Sequence, residues 1–76
     1  MTADQVKALL VDTFTESEIH VEGEGAKFLV SIVSALFEGK RAVPRQQMVY
    51  ALLNDQISSG EIHAVSMDLK TPSEAE

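Results

Sequence analysis

The sequence predicts an α+β layer in which two helices pack on one face of a three-stranded mixed sheet, in the order α-β-β-α-β. Three observations lead there. Apolar residues recur at helical spacing over Val6–Phe14 and again over Met48–Ile57. Between them, two β-rich runs are separated by only Gly23-Glu24-Gly25-Ala26, so the second should return antiparallel to the first. Finally, 76 residues with 45% apolar content support one core, because a chain this short hides only roughly 60% of the surface its unfolded form exposes. The expected organisation is a single domain over residues 1–70 and a frayed polar tail over residues 71–76.

Each element has its own signal. Thr2 and Gln5 fit a capping box, and Val6, Leu9, Leu10, Thr13 and Phe14 continue it as a helix of about three turns. Thr15–Glu18 should end it. In Glu18–Glu22, Ile19 and Val21 face one way and Glu18, His20 and Glu22 the other, as in a strand with one wet face. From Lys27 to Ser34 both faces are largely apolar, which marks the central strand. Ala35–Val43 reads as a connection, and Pro44 suits the first turn of a second helix. Met48, Val49, Leu52, Leu53 and Ile57 form that helix's buried stripe, and Ser58-Ser59-Gly60 closes it. Ile62–Leu69 supplies the third strand, parallel to the second because a helix connects them.

Composition narrows the chemistry. No Cys is present, which removes disulfides, zinc-finger patterns and thiol nucleophiles together. Only two His occur, so a zinc site would need carboxylates as well. No run approaches the roughly 18 apolar residues needed to span a bilayer, and the first residues lack a signal-peptide pattern. A cytoplasmic protein with no membrane association is expected. The net charge is −6, with seven acids and two Lys in residues 1–38, yet Lys40–Asn54 holds Lys40, Arg41 and Arg45 with no acid. That stretch is either a solvated helix start or a contact for something negative.

The run FEGKRAVPRQQMVYALL (Phe37–Leu53), followed by IHAVSMDLKTPSE (Ile62–Glu74), resembles the BolA family. The shared pattern is a Phe-x-Gly turn, a basic helix start, Val-Tyr, and Ile-His-Ala-hydrophobic-Ser with a later Thr-Pro. Arg45-Gln46-Gln47 and the short loop after His20-Val21 place it closer to the IbaG-like branch. The resemblance implies a KH-like (type II) fold. It further implies a non-catalytic partner of monothiol glutaredoxins that shares a glutathione-ligated 2Fe–2S cluster, in iron–sulfur trafficking or in stress and redox regulation. Alone, such a protein would be a monomer or weak homodimer without a cluster.

In that family a His at the start of the third strand ligates the cluster, and His63 holds this position. Imidazole can replace thiolate on iron, as in Rieske centres. A chain without Cys needs a thiol-bearing partner to do so. Many relatives place a second ligand in the first hairpin, where this chain reads Gly25-Ala26-Lys27-Phe28. His20 is the only other imidazole and the remaining metal candidate, although strands one and three should lie roughly 9–10 Å apart. Lys40, Arg41, Arg45, Gln46, Gln47 and Tyr50 are the candidate partner or nucleic-acid surface, expected to dock together with His63.

Two other function classes compete. A KH-like transcriptional regulator would bind nucleic acid, but no GxxG clamp occurs and the global charge opposes phosphate. An enzyme would need a nucleophile–base pair or clustered carboxylates, and a pairing of His20 with Ser31 or Ser66 would be arbitrary.

Overall fold

The computed structural model describes residues 1–76. Its elements are α1 (Ala3–Leu10), β1 (Glu18–Glu24), β2 (Lys27–Val33), a 3-10 turn (Ala35–Phe37), α2 (Ala42–Ser58) and β3 (Ala64–Lys70). The sheet order is β1-β2-β3, with β1 antiparallel and β3 parallel to the central β2. The expected α+β architecture and strand roles are therefore present.

Thr2 caps α1 as anticipated: its side chain accepts from the Gln5 N–H at 3.2 Å while the Gln5 side chain accepts from the Thr2 N–H at 2.8 Å. The helix is shorter than its apolar spacing implied. Regular structure stops at Leu10, and Phe14 is reached by one further bond to the Leu10 carbonyl at 2.9 Å. Thr15 and Ser17 instead engage local partners, with Ser17 Oγ donating to the Thr15 carbonyl at 3.1 Å. Phe14 still enters the core.

The first hairpin is tighter than expected. β1 runs on to Glu24, opposite Lys27, so Gly25 and Ala26 alone make the turn. Gly25 has φ +68°, the positive value that a type II′ turn requires at its first central residue. Gly23 has φ +126°, and a Cβ there would stand 2.2 Å from the Lys27 carbonyl oxygen. Only glycine fits that position.

One side of the sheet is covered by both helices. Phe28, Val30 and Ile32 of β2 are buried against Val6 and Leu10 of α1, Val49 and Leu53 of α2, and the loop residues Phe14, Phe37 and Ile62. The rings of Phe14 and Phe37 lie 5.3 Å apart and tilted by 49°. Each such buried side chain stabilises the fold by about 1.5–3 kcal/mol. The opposite sheet face is open, carrying Glu18, His20 and Glu22, then Leu29 and Ser31, then Ser66, Asp68 and Lys70. No helix is long and apolar enough to cross a membrane.

Two boundaries shift. β3 begins at Ala64 rather than Ile62, because Ile62 turns into the core and its N–H bonds the Gln56 carbonyl at 3.1 Å. Residues 71–76 are polar but not frayed. Thr71 is buried, Glu74 Oε1 accepts from the Thr71 N–H at 2.8 Å, and the Glu74 N–H donates to Thr71 Oγ1 at 3.2 Å.

Candidate functional site

Helix α2 starts near the C-terminal ends of β2 and β3 and returns to the start of β3. His63 and the basic residues consequently fall at opposite ends of a molecule measuring 33 × 20 × 19 Å.

His63 stands at the hairpin end. The Ala26 carbonyl accepts from the His63 N–H at 2.7 Å and the Ala64 N–H at 3.1 Å, fastening the start of β3 to the hairpin tip. On its other side, α2 closes at Gly60, where a Cβ would lie 3.9 Å from His63 Nε2. The backbone is thus fixed while the side chain is exposed and bonds no protein group. Gly25 and Ala26 offer no donor side chain beside it. What this end presents is a single imidazole on a small-residue surface, fit to complete a metal centre held mainly by another molecule.

His20 lies elsewhere. It pairs with Ser31 in mid-strand, and its Nε2 sits 2.8 Å from Glu22 Oε1, with both side chains about two-thirds exposed at 67% and 64%. The register puts His20 level with Asp68, five residues along β3 from His63 and two strands across. That is a separation of roughly 19 Å at the usual strand spacings. A joint His20–His63 metal site is therefore excluded, and no group of three or more His, Asp or Glu converges anywhere. His20, Ser31 and Asp68 do form one row across the open face. Serine is the middle member, whereas a hydrolytic triad needs histidine there.

The basic residues occupy the other end. Arg45 Nε donates to the Lys40 carbonyl at 2.8 Å, and Nη1 donates to the Leu69 carbonyl at 3.0 Å. Nη1 and Nη2 also fork onto Glu74 at 2.6 and 3.2 Å, and the guanidinium lies 5.8 Å from the Phe37 ring centroid. Its side chain is only 12% exposed, so Arg45 is an internal tie rather than a freely presented cation. The Arg45 hydrogen bond and the Thr71 N–H together hold the Glu74 carboxyl down at a pKa of about 2. Lys40 and Arg41 are exposed and without ion-pair partners. Gln46, Gln47 and Tyr50 are exposed along α2. The expected docking residues are accordingly spread rather than clustered: Leu69, which Arg45 touches, is six residues from His63, roughly 20 Å along β3, with Tyr50 midway along α2.

Glu74 and Thr71 were not among the expected site residues. Their signal was present, since Thr71-Pro72-Ser73-Glu74 repeats the capping-box spacing of Thr2 and Gln5.

Comparison with known proteins agrees with this architecture. Residues 4–74 match the family model described as BolA-like protein. The acid stress protein IbaG of Escherichia coli K12 is 38% identical over 74 residues, covering 97% of this chain and 88% of that one. A protein of Acinetobacter guillouiae from the rpoN-murA intergenic region is 47% identical over 74 residues, covering 97% and 89%. Among solved structures, BolA1 from Arabidopsis thaliana superposes with a TM-score of 0.86 at 33% identity, over 97% of this chain and 95% of its own. The BolA domain of SufE1 from the same plant gives 0.85 at 32% identity, over 95% and 93%. With sequence and strand arrangement in agreement over nearly its whole length, the chain belongs to the BolA-like protein family.

Proposed function

We propose that this BolA-like chain is a non-catalytic adaptor that binds a monothiol glutaredoxin and shares with it a glutathione-ligated 2Fe–2S cluster. The observation that carries the reading is His63, whose exposed imidazole bonds no protein group while its backbone N–H is held by the Ala26 carbonyl at the hairpin end. With no Cys in the chain and no converging set of donors, this protein can offer a cluster one nitrogen and must find the thiolates elsewhere. Similarity to an acid stress protein and to the BolA domain of a SufE protein is in keeping with a role in stress and iron–sulfur handling.

The chain's own part is positional. The Ala26 carbonyl holds the His63 backbone, so only side-chain freedom remains to be lost when the ring engages iron through a neutral nitrogen. The small side chains of Gly25 and Ala26 let a partner approach closely. A cluster held this way would supply a transferable iron–sulfur unit whose potential is raised by exchanging thiolate for imidazole.

The test is an anaerobic titration of this protein into a cluster-loaded, glutathione-containing monothiol glutaredoxin, followed by visible circular dichroism. The reading expects a new spectrum saturating near one equivalent, absent with His63→Ala and unchanged with His20→Ala. An unaltered spectrum together with no complex by size-exclusion chromatography would remove it. Salt-dependent DNA binding through Lys40 and Arg41 would then become the working reading.

A further inference from the structure

We propose that the groove between the start of α2 and the outer edge of β3 is a binding site for a carboxylate of an acidic peptide, and that Glu74 is its internal occupant. The groove, of about 400 Å³, is lined by Lys40, Arg41, Arg45, Gln46 and Leu69, with Glu74 at its side.

Arg45 is set in place without help from Glu74. Its bonds to the Lys40 and Leu69 carbonyls, with the Phe37 ring centroid 5.8 Å away, fix the guanidinium independently of the tail. A planar fork held in this way matches a carboxylate bidentately, which names the ligand chemistry. Glu74 already makes that match, at 2.6 and 3.2 Å. Its side chain nevertheless remains 48% exposed. The two Arg45 bonds are also the only hydrogen bonds from residues 71–76 to the rest of the chain. Exchange of this carboxylate for another therefore breaks only the Arg45 fork and the bond from the Thr71 N–H, and touches none of the apolar core residues.

Charge favours the same occupant. Lys40 and Arg41 stand unpaired at the mouth, where a second carboxylate of the same peptide would meet them. Asp68 also borders the groove, with its Oδ2 3.8 Å from Lys70 Nζ. Elsewhere a net charge of −6 repels an acidic ligand, which directs it to this end. The site is roughly 20 Å from His63, so it stands or falls separately from the cluster reading.

The experiment is a two-dimensional amide NMR titration of the full chain, wild type and Glu74→Ala, with the peptide acetyl-Gly-Glu-Glu-Gly-amide. The neutral acetyl-Gly-Gln-Gln-Gly-amide and inorganic phosphate serve as comparison ligands. A tethered occupant competes by mass action with any free carboxylate, so Glu74→Ala should bind the acidic peptide more tightly than wild type. The shifts should centre on Lys40, Arg41, Arg45 and Gln46. Adding Lys40→Gln or Arg41→Gln, both exposed and free of internal side-chain bonds, should weaken binding at least threefold with thermal unfolding unchanged. The proposal is overturned if Glu74→Ala binds no more tightly than wild type. Equal binding of the neutral peptide or of phosphate would overturn it too.

Discussion

Replacing Arg45 by Gln removes donors from the Lys40 and Leu69 carbonyls and from Glu74 at one stroke. Hydrogen bonds to charged groups contribute about 1.5–3 kcal/mol each when a partner is deleted, so urea unfolding should show a loss of about 2 kcal/mol or more. Arg45→Lys should recover little of it, because an ammonium cannot fork onto Glu74 while also reaching two carbonyls. The partner carboxylate gives the same contact a pH signature. Glu74 is held at about 2 by the Arg45 hydrogen bond and the Thr71 N–H, against 4.5 for an unperturbed group. A lowered folded-state pKa means its stabilisation is complete above about pH 4.5 and is lost as pH falls toward 2. A side-chain carboxyl ¹³C titration should find Glu74 ionised at pH 3.5, whereas in Arg45→Gln it should titrate close to the ordinary range. At this scale the sequence was half legible. The Thr2–Gln5 capping box was read, but its counterpart at Thr71–Glu74 went unread because no helix follows it. That Arg45 would turn inward depended on the Leu69 carbonyl, a partner 24 residues away that no local pattern reveals.

At the scale of elements, the hairpin offers the sharpest comparison. Gly23→Ala drives a Cβ against the Lys27 carbonyl at a φ of +126°, whereas Gly25→Ala meets open space at +68°. Strained backbone of the first kind costs roughly 1–3 kcal/mol before any clash is added; the second costs about 1–2 kcal/mol. Thermal denaturation should therefore rank Gly23→Ala clearly below Gly25→Ala, with both below wild type. Element type and order followed from periodicity: alternation exposed the wet face of β1, and the doubly apolar run marked β2 as central. Boundaries followed less well, for identifiable reasons. Ile62 looks like strand sequence but serves as a plug under α2, and Phe14 keeps helical spacing although regular helix has stopped at Leu10. Both residues are buried; what the pattern could not tell was the backbone that carries them.

For the whole molecule, the core is small enough that a single aromatic carries a large share of the stability. A chain of 76 residues has a total stability of roughly 4–11 kcal/mol. Phe37 is fully buried against Phe14 and beneath Arg45, and its truncation to Ala costs about 3–5 kcal/mol. Phe37→Ala should accordingly unfold at a markedly lower temperature than wild type in a circular-dichroism melt, with Tyr50→Ala, exposed on α2, far less affected. The separation of the two ends also belongs to this scale. Sequence placed Arg45 on α2 and Lys40 and Arg41 just before it, but put His63 inside the third strand when it immediately precedes β3, and the length of α2 with the parallel β2–β3 pairing sends His63 and these cations to opposite ends. The cluster reading then rests on His63 alone. Its most direct test is electron-nuclear double resonance on the dithionite-reduced complex with a cluster-loaded monothiol glutaredoxin, using this protein labelled with ¹⁵N-histidine. The account predicts hyperfine coupling from one strongly coupled nitrogen, lost in His63→Ala and retained in His20→Ala. A complex with no ¹⁵N coupling, or with coupling that survives His63→Ala, would contradict it.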